Sequence, residues 1–226
     1  MSPAALPHLA SGGGGVDDVA AELARLQCEA RVWEPARLAL LADLALPAGA
    51  RVLDVAQHAG PLPQDAETYD VVHARFQLGS LGQVAERLAA YGRLLKPGGV
   101  LVVEEPDTRS WTLTPYAPSA THLVGRIAQA HRTFGGDLDL GRRLPALLRA
   151  EGLEPQVRTH TIGLEAGHPY LRLPVQLAEV LHQRLADVLG TDAFDALRAA
   201  AAAELDEPDR CGTTFTLVQA WATVPA

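Results

Sequence analysis

Two short apolar runs stand very close together in this chain. Arg51-Val-Leu-Asp-Val55 and Tyr69-Asp-Val-Val-His-Ala74 each have the length and β-branched content of a buried strand. Only thirteen residues, 56–68, separate them, and Pro61 and Pro63 are among these. A link that short can barely carry one parallel crossover. It cannot contain two further strands and two helices. Whatever sheet these strands enter, no βαβ unit of ordinary size lies between them.

The rest of the chain alternates helical and extended patterns. Residues 1–15 hold an early Pro/Ser content and the Gly12–Gly15 run, which reads as a flexible arm; no Lys-Ser/Thr follows, as a phosphate loop would require. Residues 16–48 carry apolar side chains at helical spacing, and Pro35 predicts a break into two N-terminal helices. Residues 80–95 form an amphipathic helix with Leu81, Val84, Leu88, Tyr91 and Leu95 on one side. Lys96-Pro-Gly-Gly99 ends it, and Val100-Leu-Val-Val-Glu104 is a third strand. A Pro-rich loop follows, then helices near 120–134 and 141–151, a strand at 156–162, helices at 175–189 and 193–205, and a final strand at 213–223. Strands alternating with helices predict an α/β layered fold with a mostly parallel sheet, whose last strand runs antiparallel.

Composition narrows the function classes. Nineteen basic against 27 acidic residues leave a net charge of −8, which argues against a nucleic-acid groove. No apolar run reaches bilayer length, so no membrane partner is expected. Two cysteines, Cys28 and Cys211, are too few for a disulfide framework or a zinc cluster, and no metal is assigned. The default expectation is a cytoplasmic protein with a small-molecule substrate.

Several segments in order resemble a class I S-adenosylmethionine-dependent methyltransferase of the ubiquinone-biosynthesis-like, type 11 group. They are Ala50-Arg-Val-Leu-Asp-Val55, Tyr69-Asp-Val-Val-His-Ala-Arg-Phe76, Leu94-Leu-Lys-Pro-Gly-Gly-Val-Leu-Val-Val103, Glu104-Glu-Pro-Asp107 and Gly141-Arg-Arg-Leu-Pro-Ala-Leu-Leu-Arg-Ala-Glu-Gly152. The resemblance implies a three-layer Rossmann-like fold over residues 49–226, with helical lid elements near 107–140 and 165–206. Two departures matter. The family's Asp-x-Gly-x-Gly-x-Gly motif appears here as Asp54-Val-Ala56-Gln-His58-Ala-Gly60, so a glycine position that admits bare backbone against the cofactor carries an imidazole. The family's second and third strands, with their helices, have no residues to form them. A shortened sheet with an exposed edge follows, and the N-terminal helices, a homodimer partner, or both are expected to cover it.

These departures predict a chain that works without a cofactor; were S-adenosylmethionine binding retained, Asp54, Ala56 and Gly60 would serve it. Open α/β sheets bind ligands beyond the carboxyl ends of their strands. That rule points to His58, Arg75 and Glu105 as catalytic candidates. Gln57, Phe76, Asp107, Trp111, Tyr116, His131 and Phe134 are the expected substrate-binding walls. Three readings compete: a cofactor-independent cyclase or isomerase tailoring a natural-product intermediate, a genuine methyltransferase with a shortened site, and a non-catalytic partner of an intact relative.

Overall fold

The structure, a computed structural model, describes residues 16–55 and 62–225. The arm expected at residues 1–15 lies outside them. The chain begins with α1 (Val16–Asp43) and enters the main sheet through β1 (Val52–Asp54) and β2 (Tyr69–Arg75). A short turn of helix, α2 (Leu78–Leu81), and the amphipathic α3 (Val84–Leu94) lead into β3 (Leu95–Asp107). This strand takes in the Lys96–Gly99 segment expected to be a turn, and its register against β2 shifts there, between Tyr69 and Val71.

After β3 come β4 (Thr112–Thr114), α4 (Pro118–Thr133), α5 (Leu144–Ala150), β5 (Gln156–His160) and β6 (Gly163–Leu164). The helices α6 (Leu173–Val180), α7 (His182–Leu189) and α8 (Thr191–Leu205) follow, then β7 (Cys211–Thr213) and β8 (Thr216–Thr223). The main sheet has the order β1-β2-β3-β8-β5. Its first three strands are parallel, and β8 runs antiparallel to both neighbours, as its sequence position predicts. Among the described residues no strand lies beyond β1. A second small sheet pairs β4, β7 and β6.

Three layers result. On one face, Leu53, Val72, Leu101, Val103 and Ala220 pack against Leu88 and Tyr91 of α3 and Leu144 and Leu148 around α5. Gly141 lets the turn before α5 touch β3, since a Cβ there would stand 2.6 Å from the Glu105 carbonyl oxygen. On the other face Leu40 of α1 meets Val71 and Val102. The expected break at Pro35 does not occur: α1 continues through it. The lost backbone hydrogen bond is offset by tertiary packing, because Trp33, Ala36 and Leu40 on either side of the proline are all buried. The helices α4, α6, α7 and α8 gather separately around Leu123, Ile127, Val175, Leu185 and Phe194.

At the amino ends of the three parallel strands, Asp70 of β2 ties them together. Its carboxylate accepts from the Arg51 backbone N–H and from Lys96 Nζ, each at 2.8 Å. This leaves the carboxyl ends as the place where polar side chains converge.

Candidate functional site

Side chains alternate along a strand, so Val71, His73 and Arg75 share the face that α1 covers. On β3 the same face carries Val102 and Glu104, and on β1 it carries Asp54. Parallel register sets His73 opposite Asp54 and Arg75 opposite Glu104. The four polar groups therefore form one row at the carboxyl ends of three adjacent strands. From α1, Glu34 and Arg37 reach the same place.

His73 is the hub. Its Nε2 lies 2.6 Å from Glu104 Oε1, and its Nδ1 lies 3.4 Å from Asp54 Oδ2 without the alignment of a hydrogen bond. His73 and Glu104 are buried, whereas the Asp54 side chain keeps 21% of its exposure. Burial works against a charged ring here, but the two carboxylates outweigh it and hold the His73 pKa above its ordinary value. Arg37 binds Glu34 in two-pronged fashion, its Nε donating at 2.9 Å, and that bond keeps the Glu34 carboxyl below the usual range. Arg75 stands 4.0 Å from the same carboxylate, and its buried Nη1 has no hydrogen-bond partner. With His73 protonated, three cations face three anions, which is how so many ionised groups tolerate a shared site under a helix.

The predicted site residues fare unequally. Arg75 stands in this row. Ala56, Gln57, His58 and Gly60 lie outside the described residues. Glu105 is not at a mouth: it is fully buried on the opposite face, where its Oε1 accepts the Leu78 N–H at 2.7 Å. Burial pushes its pKa up to about 8, against the pull of the Leu78, Gly79 and Gln77 backbone amides. Gly79 makes room for it, since a Cβ there would stand 2.8 Å from Glu105 Oε2.

Phe76 is partly buried and packs against the aromatic cluster of α1. Its ring meets Phe215 edge-on at 5.9 Å, and Phe215 stacks on Trp33 of α1. Trp111 packs between this aromatic cluster and the helical cluster around Phe194. Asp107 pairs with Arg142 at 2.5 Å. His131 contacts the Ile127 carbonyl within α4 through Nδ1 at 3.1 Å. Tyr116 and Phe134 are exposed. The expected aromatic walls are thus dispersed: apolar rings that could line a cleft are drawn into packing by α1 and by the helix cluster instead.

The sequence reading left His73 and Glu104 out of the site. Alternation fixes the face each occupies, and only the register between β2 and β3 brings them together. A groove of about 490 Å³ between Cys28 and Val32 of α1 and Ile162, His168 and Pro169 lies apart from this row. Among the described residues, no group of three or more His, Cys, Asp or Glu has the arrangement of a metal site. No helix there is long and apolar enough to cross a membrane.

A family model described as a methyltransferase domain matches residues 11–156. No curated protein sequence matches the chain. Among solved structures, a putative methyltransferase from Bacillus halodurans is similar at 12% identity over 74% of this chain and 71% of its own, with a TM-score of 0.44. Phosphoethanolamine N-methyltransferase 2 of Haemonchus contortus, in complex with S-adenosylmethionine, is 15% identical over 72% of this chain, which spans 34% of that protein, with a TM-score of 0.35. The [4+2]-cyclase SpnF is 19% identical over 74% of this chain and 54% of its own, with a TM-score of 0.34. The family match corrects the expectation of a chain that works without a cofactor: a methyltransferase domain draws its methyl group from a donor, and S-adenosylmethionine is the donor to consider.

Proposed function

Because the chain belongs to the methyltransferase-domain family, we propose that it transfers a methyl group from S-adenosylmethionine to a small organic acceptor. The observation that carries this reading is the guanidinium of Arg75. It stands at the carboxyl end of β2, where open α/β sheets receive their ligands, and a buried Nη1 without a partner is costly unless something completes it. The amino-acid end of the donor carries a carboxylate, which suits an arginine fork. The residues present fit that end of the molecule.

Bound there, S-adenosylmethionine supplies an electrophilic methyl carbon on a sulfonium. The chain's own groups do the remaining work. Arg75 holds and orients the carboxylate, while Glu34 hydrogen-bonds Arg37 and stands 4.0 Å from Arg75 without a hydrogen bond to it. Trp33, Tyr170 and Phe215 form a packed aromatic cluster, and Phe76, packed against it, lies under the Arg75 guanidinium at 5.8 Å. Asp54 marks the carboxyl end of β1.

Calorimetric titration with S-adenosylhomocysteine tests the proposal. Micromolar binding is expected, weakened at least about tenfold by Arg75→Ala, the loss of a hydrogen bond to a charged group. A wild-type chain that takes up no S-adenosylhomocysteine overturns it.

A further inference from the structure

The row at the carboxyl ends contains a second arrangement that donor binding leaves unused. Glu104, as a carboxylate, can only accept a hydrogen bond, so His73 Nε2, 2.6 Å from it, carries the hydrogen. In the neutral ring Nδ1 then presents a bare lone pair. That atom is buried, has no hydrogen-bond partner and faces Asp54 Oδ2 at 3.4 Å. The row therefore runs from a fully buried carboxylate, through an imidazole that it orients, to a carboxylate that touches solvent. This is the order of an orienting acid, a base and an outlet.

Resting on the methyltransferase reading, we propose that Glu104, His73 and Asp54 form a proton relay, and that the acceptor is a hydroxyl or amine that sheds its proton into it. The acceptor's O–H or N–H bond breaks and its proton passes to Asp54, then to His73 Nδ1, where Glu104 balances the new charge. The acceptor's freed electron pair bonds to the methyl carbon, and the pair of the severed carbon–sulfur bond stays on sulfur. Glu104 touches nothing that reacts and acts as a positioning residue.

The other groups facing His73 are consistent with a proton held there reversibly. Glu34 and Arg37 of α1 pair with each other, and Arg75 stands 4.0 Å from the same Glu34 carboxylate. On the far side of Glu104, Gln219 is held by the Ala36 carbonyl at 3.2 Å and by His160 Nε2 at 2.9 Å. Its side chain is thereby engaged away from Glu104, leaving Glu104 to His73.

Histidine-selective ¹⁵N NMR on the full chain tests the relay without an acceptor. Above its titration midpoint, His73 should show a protonated Nε2 and a bare Nδ1. Glu104→Gln should lower the midpoint by about one pH unit and weaken the tautomer preference, while Asp54→Asn lowers the midpoint and keeps the tautomer. A hydrogen on Nδ1, or a midpoint indifferent to Asp54→Asn, overturns the relay and leaves the donor site standing. Failure of the wild-type chain to bind S-adenosylhomocysteine overturns the underlying reading instead. Activity confined to acceptors with no proton on oxygen or nitrogen overturns the acceptor class.

Discussion

Two buried titratable side chains make stability depend on pH in the same direction. Glu105 has a folded pKa of about 8 against an ordinary 4.5, so the folded state holds a proton there that the unfolded state has lost. Its contribution is fully present below pH 4.5 and is lost as pH rises to 8, a difference on the order of 4 kcal/mol. His73 is raised above 6.5, so its contribution is present below that value and disappears as pH rises through its folded pKa. Thermal unfolding followed from pH 5 to 9 should therefore show stability falling with pH. Glu105→Gln keeps an acceptor for the Leu78 amide and cannot ionise; it should flatten the decline and raise stability at pH 8, leaving a smaller slope that belongs to His73. An unchanged slope in that variant would remove Glu105 from the account. At this scale the sequence was readable for direction only. Alternation along β2 and β3 sets His73 and Arg75 on one side and Glu104 and Glu105 on opposite sides, but it does not say that both carboxylates are buried, Glu104 against His73 and Glu105 against the Leu78 amide. The strand's own pattern does not say which face a helix roofs with polar groups.

Among the elements, α1 departs from what its pattern predicts. Pro35 signals a break, yet Trp33 donates to the Tyr170 hydroxyl at 2.8 Å and stacks on Phe215 at 5.1 Å, holding the helix across the proline. Trp33→Ala should cost about 3–5 kcal/mol, measured by denaturant unfolding, because it empties the centre of an aromatic cluster. Pro35→Ala restores a backbone donor in mid-helix and should stabilise by up to about 3 kcal/mol. Destabilisation by that second change would mean the proline kink is needed to seat Trp33. Strands β1, β2 and β3, helix α3 and the terminal β8 were legible because each carries its own periodic signal. The three-stranded sheet of β4, β7 and β6 was not: its strands are two or three residues long, and Thr112 meets Thr213 across 101 positions. Local propensity has nothing to say about such pairings.

Taken whole, the molecule is a three-layer fold whose sheet ends, among the described residues, at a three-residue strand with Val52 44% exposed. A second copy is the expected cover for this edge. Light scattering should give twice the 24.0 kDa mass of one chain, reduced to a single mass by Val52→Glu. A single mass already in the wild type would leave the edge to solvent. The opposite, amino-terminal side of the sheet offers something of practical value. Lys96, which ties β3 to Asp70, is the sole lysine of the sequence and keeps 41% of its side-chain exposure. An amine-reactive dye therefore finds one side-chain address in this sequence, far along the strands from His73, where a fluorophore can report docking of small molecules without standing in their path.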